Sequence, residues 1–269
     1  GPLAHHEGGW RPLVYCWRGG MRSNSMATIL SSVGWPSGVV KGGYKTWRRE
    51  VVTGLEHEDS RLPVRLIDGQ TGTGKTALLQ AIAAAGGQVI DLEGLAHHRG
   101  SAFGDLGDAP QPAQRLFESG IWQQLRQFDL SRPVFVEAES ARVGRCRVPR
   151  RLWHSMLAAP RIEMRVPSDV RADFLLSAYE DIIRDKDRLM EALAKLKGLQ
   201  SKETLAEWQA LAEAGDYRAL ARQLMDRHYD PLYARSRKRR EDAPVDMVRL
   251  ESLDDTALKR AAERLVSGT

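Results

Sequence analysis

Two short stretches carry residue types whose spacing permits phosphate and sulfur chemistry. The first is Gly69-Gln70-Thr71-Gly72-Thr73-Gly74-Lys75-Thr76, which matches G-x-x-x-x-G-K-[ST] at every fixed position. Glycines in such a turn allow a tight backbone whose N–H groups point inward, and the positive end of a following helix adds to them, so the turn surrounds a di- or triphosphate. Thr71 and Thr73 fall within this loop, Lys75 supplies a mobile cation for the outer phosphates, and the Thr76 hydroxyl is placed to ligate Mg²⁺. These residues leave open whether the anion is a nucleotide.

The second stretch is Cys16-Trp17-Arg18-Gly19-Gly20-Met21-Arg22-Ser23. A cysteine between a strand end and a helix start, with Arg18 and Arg22 close in sequence, is expected to have a lowered pKa and to react as the thiolate. The Gly19-Gly20 pair lets loop N–H groups converge on an anion carried at the sulfur. C-x5-R-S serves two chemistries, persulfide transfer and cysteine-dependent phosphatase action. A phosphatase would usually place His before the cysteine, where Tyr15 stands, and no separate acid is assignable.

Acidic residues at strand ends come next. Asp91, with Glu93, follows the apolar Gln88-Val89-Ile90, and either meets Mg²⁺ or caps a helix. Glu137 follows Pro133-Val134-Phe135-Val136, the position of a Walker B carboxylate that orients Mg²⁺ or water; Glu139 is expected to pair with the arginines beyond it. Those arginines are Arg142, Arg145, Arg147, Arg150 and Arg151, five within ten residues, suited to a diphosphate or to an RNA backbone. Cys146 lies among them without a glycine cradle and is read as incidental. Adjacent His97 and His98 point apart on any regular element, which argues against a metal pair.

The elements that must position these residues are legible as a coarse pattern. Pro12 to Tyr15 reads as a short buried strand, Ser25 to Leu30 as a helix, and Lys45 to Leu55 as a helix ending near Gly54. Residues 56–61 read as a linker, with a boundary near residue 60. Val64 to Asp68 is a strand and Ala77 to Ala85 helical, so the phosphate loop joins strand to helix. An amphipathic helix is expected over Gln111 to Phe128 with Leu116, Ile121, Leu125 and Phe128 on its apolar face. Beyond Ser168 the pattern is helical: Val170 to Leu196, Ser201 to Ala214 and Asp216 to His228, with Tyr229-Asp230-Pro231 stopping the third. Arg235 to Arg240 is a second basic cluster, an exposed loop or an RNA contact. Met247 to Leu250 reads as a strand and Leu253 to Val266 as a last helix.

Composition bounds the class. Of 269 residues, 42% are hydrophobic, enough for a real core, and no apolar run reaches the ~20 residues that cross a bilayer. Two cysteines make no disulfide framework, which favours a reducing, cytoplasmic setting. A net charge of +5 is compatible with an anionic partner without naming it.

Taken in order, Tyr15 to Ser23, Gly42-Gly43-Tyr44, Gly69 to Thr76, Asp91 to Ser101 and Phe135 to Ser140 resemble the bacterial tRNA 2-selenouridine synthases. That resemblance implies an α/β protein: a partial rhodanese-like domain over residues 1–60, then a P-loop domain with a parallel sheet in three layers over 61–168, then a helical C-terminal region over 169–269. Because a rhodanese domain carries several elements ahead of its cysteine, the chain looks like a fragment without the first half of that domain. The activity implied is conversion of wobble 2-thiouridine in tRNA to 2-selenouridine by way of a geranylated thiouridine, with geranyl diphosphate and selenophosphate as co-substrates. A selenophosphate-supplying enzyme is a further partner the resemblance allows. Cys16 would then handle selenium with Arg22, the loop at 69–76 would grip the prenyl diphosphate, and Arg142 to Arg151 would neutralise the departing diphosphate. The residues alone also fit a P-loop hydrolase or kinase with a sulfurtransferase module.

Overall fold

The computed structural model describes residues 3, 5–6, 9–57, 60–101, 103–104, 109–238 and 246–268. It divides into two units, Gly1–Asp59 and Ser60–Thr269.

The first unit holds β1 (Leu13–Val14), α1 (Met21–Ser32), β2 (Gly38–Val39) and α2 (Gly43–Val52), which runs on into a π-helical turn at Thr53–His57. β1 and β2 pair in parallel as a two-stranded sheet. β1 is shorter than expected and is not a core strand: Leu13 is 68% exposed and Tyr15 is 65% exposed. Val14 is half-buried, and β2 is the one strand paired with β1 among the described residues.

The second unit begins with β3 (Val64–Gly69), α3 (Lys75–Ala84), β4 (Gln88–Ile90), α4 (Leu92–Ala96), α5 (Gln114–Leu125) and β5 (Val134–Glu137). A hairpin of β6 (Arg142–Val143) and β7 (Cys146–Arg147) leads to α6 (Arg150–Ala158) and β8 (Arg161–Arg165). Then follow α7 (Ser168–Ala178), α8 (Glu180–Ile183), α9 (Lys186–Ala194), α10 (Lys202–Ala214) and α11 (Tyr217–Leu224). A π-helical turn at Met225–Tyr229 precedes α12 (Asp230–Lys238), β9 (Asp246–Arg249) and α13 (Asp255–Ser267).

Five strands form one all-parallel sheet in the order β4-β5-β3-β8-β9, so the strand that feeds the phosphate loop is central. Strands covered on both faces need apolar residues throughout, and β5 and most of β3 are buried accordingly. On one face α3 and α13 pack together over Ile67, Phe135, Ile162 and Val248 through Leu78, Leu79, Ile82, Leu258 and Leu265. On the other face α6 lies against β3. The sheet is therefore completed from the chain's last elements, β9 and α13. A second core, built on Ile182, Leu193, Leu196, Trp208 and Leu220, holds α8 to α11 together.

Four expectations need correcting. The helix read over 170–196 is three helices, broken at Tyr179 and restarted at Asp185, whose carboxylate accepts the Arg188 N–H; apolar spacing continues across both breaks and hides them. Pro231 does not stop a helix: it sits in the first turn of α12, where its missing N–H has no intrahelical partner to lose. Leu116 faces solvent at 66% exposure, and Phe117, Ile121 and Leu125 carry the apolar face of α5. β8 had no place in the sequence pattern because charged residues occupy two inward positions; Arg161 and Asp68 are both buried and pair at 2.9 Å. Of the basic stretch 235–240, residues 239 and 240 lie outside the described residues.

Candidate functional site

The phosphate loop leaves the C-terminal end of β3, the end at which parallel α/β sheets bind ligands. Gly74 is left-handed at φ +76° and caps α3, a conformation that favours glycine, and a Cβ there would stand a tight 3.1 Å from the Leu253 side chain. The Lys75 Nζ donates to the Gly69 carbonyl at 3.1 Å, folded back along its own loop. Thr73 is buried and donates its hydroxyl to the Gln70 carbonyl at 2.8 Å. From outside, Arg171 clamps the loop: its Nε donates to the Thr71 carbonyl at 2.8 Å, Nη1 to Gln70 Oε1 at 3.2 Å, and Nη2 to Asp230 at 2.7 Å. Arg171 is buried and had no signal in the sequence.

Three carboxylates converge on the same loop. Oxygens of Glu93, Glu137 and Glu139 lie within 4.8 Å of one another. The Thr76 hydroxyl is 3.2 Å from both Glu93 Oε2 and Glu137 Oε2, and Glu137 Oε1 accepts the Glu93 backbone N–H at 2.9 Å. Burial, reinforced by the charge of Glu139, pushes the Glu93 carboxyl up to about 7 against the pull of Lys75. Burial and the charges of Glu93 and Glu139 raise Glu137 well above the carboxylate range, and burial raises Glu139 in the face of Lys75. Such a cluster of hard oxygen donors, each less ionised chiefly because it is buried, fits Mg²⁺. Asp91 is not part of it: its carboxylate accepts the Gly94 N–H at 2.7 Å and caps α4, the second of its two readings. Glu139 belongs to the trio, which its expected pairing with arginines had obscured.

Thr71, Lys75, Thr76, Glu93 and Glu139 line a cavity of about 310 Å³ whose far wall is Arg99, Ser101 and Tyr179. Arg99 pairs with Asp181 at 2.9 Å and lies over the Tyr179 ring, 4.8 Å from its centroid. A second, almost wholly apolar cavity of about 80 Å³ adjoins the first: Thr71, Leu175, Tyr179 and Tyr229 border both, and Ile182, Leu220, Ala221, Leu224 and Met225 wall the rest of it.

The basic stretch separates into two roles. Arg142, Arg145 and Arg147 are exposed on the β6–β7 hairpin, and Arg150 is exposed at the start of α6. Arg151 is buried instead, donating to the Ser60 carbonyl at 2.9 Å and to the Ser60 hydroxyl at 2.8 Å, and is a structural residue. Cys146 is buried, and burial raises its thiol pKa.

In the first unit the Cys16 thiol is half-buried, and its pKa falls to about 6. The main cause is the Ser23 hydroxyl, 3.3 Å from Sγ, followed by loop N–H groups of Arg18, Gly20 and Ser23. The guanidinium charges of Arg18 and Arg22 do not produce the shift; both side chains are exposed. The Gly42-Gly43-Tyr44 motif explains itself here: the Tyr44 N–H donates to the Cys16 carbonyl at 3.0 Å, and a Cβ on Gly43 would fall 2.0 Å from that carbonyl.

Residues 62–209 match the family described as the tRNA 2-selenouridine synthase AAA domain. Over most of the chain the sequence is 33% identical to a tRNA 2-selenouridine synthase of Aeromonas salmonicida, covering 82% of this chain and 66% of the relative. Identity to that of Alcanivorax borkumensis is 31% (82% and 67%), and to that of Hahella chejuensis 33% (87% and 70%). The chain belongs to the tRNA 2-selenouridine synthase family. It spans about two thirds of the length of these curated relatives. Among solved structures, a shikimate kinase from Bacteroides thetaiotaomicron is similar at a TM-score of 0.32 with 16% identity (76% of this chain, 96% of that one). The full-length tRNA isopentenylpyrophosphate transferase from Bacillus halodurans is similar at 0.39 with 11% identity (77% and 96%). Both likenesses are too distant to bear on function. The family match takes in the phosphate loop, the carboxylate trio and the α7 wall of both cavities, while the Cys16 loop lies outside it.

Proposed function

We propose that this chain is a tRNA-modifying transferase that converts wobble 2-thiouridine to 2-selenouridine through S-geranyl-2-thiouridine, consuming geranyl diphosphate and then selenophosphate. Family membership supports the nucleoside and the selenium. The observation that supports the prenyl donor is the adjacency of the two cavities: Thr71, Leu175, Tyr179 and Tyr229 border both a polar chamber beside the phosphate loop and an apolar one, a pairing that suits an anionic head with a hydrocarbon tail.

In this reading Lys75 leaves the Gly69 carbonyl for the diphosphate, and the loop amides with the α3 N-terminus hold it. Thr76, Glu93, Glu137 and Glu139 would hold Mg²⁺, which when bound neutralises charge on the leaving diphosphate. The thiocarbonyl sulfur attacks C1 of the geranyl group, the C1–O bond breaks, and the base loses its N3 proton. In the second stage selenium from selenophosphate bonds to C2 of the base, the C2–S bond breaks with geranylthiol leaving, and water cleaves the P–Se bond to release phosphate. The rhodanese-like Cys16 loop handles the selenium species: a thiol with a pKa of about 6 is largely ionised at neutral pH, and the N–H groups of Arg18, Gly20 and Ser23 stabilise an anion at the sulfur. Both stages belong to the cytoplasm, where tRNA and selenophosphate meet.

The test is to incubate the full chain with an anticodon stem-loop bearing 2-thiouridine and geranyl diphosphate, and to read RNA mass. A geranyl mass increment that disappears with Lys75→Ala is expected. ATP hydrolysis without RNA modification would replace the proposal by a P-loop hydrolase.

A further inference from the structure

A third cavity, of about 400 Å³, also borders the phosphate loop. Asp68, Lys75, Glu139, Trp153, Arg161 and Tyr233 are among its walls, and nothing in the chemistry above uses it. Lys75 and Glu139 border this cavity and the phosphate chamber alike, so an occupant here would face the head group there. Its character differs from both others. Two aromatic side chains, Trp153 from α6 and Tyr233 from α12, are half-buried and line it. The buried Arg161–Asp68 pair gives it fixed charge, with Asp68 held by the Gly69 N–H at 2.8 Å as well as by Arg161 at 2.9 Å. Ser140 and Ala141 line it and lead straight into the hairpin that exposes Arg142, Arg145 and Arg147.

Aromatic faces beside polar groups, approached along a strip of arginines, are the chemistry that recognises a base turned out of an RNA strand: the base stacks, its edge meets fixed donors and acceptors, and the backbone lies on the guanidinium groups. We propose that this cavity receives the unpaired nucleobase that the chain modifies, with Trp153 as its stacking platform and the β6–β7 hairpin as the backbone guide. The inference rests on the reading that the substrate is an RNA, and it assigns to that reading a base subsite separate from the prenyl diphosphate chambers.

The experiment compares wild type with Trp153→Ala, Trp153→Phe and Tyr233→Ala in the full chain. Affinity is measured for an anticodon stem-loop with 2-thiouridine at the wobble position, for the same stem-loop with an abasic wobble nucleotide, and for geranyl diphosphate. Trp153→Ala should weaken the intact stem-loop by about tenfold, the size of one lost base stack. Trp153→Phe should keep most of the affinity, and Tyr233→Ala should weaken binding in the same direction. Geranyl diphosphate affinity should be unchanged, and on the abasic stem-loop all variants should bind alike. Equal binding of the intact stem-loop by wild type, Trp153→Ala and Tyr233→Ala overturns the base pocket, as does an equal loss on the abasic RNA. A wild-type chain that binds neither RNA nor geranyl diphosphate overturns the proposed function itself, so the two failures are distinct.

Discussion

Replacing Ser23 by Ala probes whether the Cys16 loop is a machine for making thiolate. The Ser23 hydroxyl is the largest of the influences that bring Cys16 from 9.0 to about 6, ahead of the loop N–H groups. At pH 7 a thiol at that lower value is about nine-tenths ionised, against about one part in a hundred at the ordinary one. The absolute rate of alkylation is a poor readout of this, because nucleophilicity falls with pKa at a slope of about 0.5, which returns most of the ~90-fold gain in thiolate. The midpoint of the pH–rate curve is free of that cancellation. Below the midpoint the thiol is protonated and silent; above it the rate is flat. Iodoacetamide labelling followed by mass spectrometry, resolving the Cys16 peptide from that of buried Cys146, should place the wild-type midpoint near pH 6. Ser23→Ala should carry it upward, and by more than Arg18→Ala or Arg22→Ala, since neither guanidinium contributes to the shift. A wild-type midpoint near 9, or one that follows the arginines and ignores Ser23, refutes the reasoning.

Two further outcomes are expected. Asp230→Ala leaves the buried Arg171 charge without its carboxylate and should cost about 3 kcal/mol in urea unfolding, the scale for breaking a buried ion pair; a change within ~0.5 kcal/mol would deny that Arg171 locks the phosphate loop to α12. Replacing Arg142, Arg145 and Arg147 together by Ala should flatten the log–log dependence of RNA affinity on salt by roughly 2, at ~0.7 per single-stranded phosphate contact. An unchanged slope would remove the hairpin from the RNA interface.

Much of the P-loop layer was legible because its signals are local. A fixed glycine spacing between an apolar strand and an alanine-rich helix allows few other structures, and β3, α3, β4 and β5 lie within a residue or two of their expected places. The chain also belongs to the family its motifs resembled. What the sequence hid is long-range. β8 looks charged because Arg161 and Asp68, 93 positions apart, satisfy each other only after the sheet forms. Arg171 reads as an ordinary helix residue until Asp230 and the Thr71 carbonyl meet it. Glu139 looked like a partner for nearby arginines because spacing says nothing of the turn that brings it beside Glu93. At Cys16, charge was the visible cue in the sequence, yet a hydroxyl seven residues away does more, because it sits 3.3 Å from the sulfur, shared with the Gly20 carbonyl at 3.0 Å.

The central claim is that the phosphate chamber and the apolar chamber hold one amphiphilic diphosphate. Calorimetry of the full chain with inorganic diphosphate, geranyl diphosphate and ATP tests it most directly. Burying about four methylene equivalents at ~0.8 kcal/mol each should make geranyl diphosphate bind roughly 200-fold tighter than inorganic diphosphate, with ATP no better than the latter. Ala221→Phe, which fills the apolar chamber, should erase much of that preference and leave inorganic diphosphate untouched. Equal affinity for the two diphosphates, or ATP binding tightest of the three, would contradict the account.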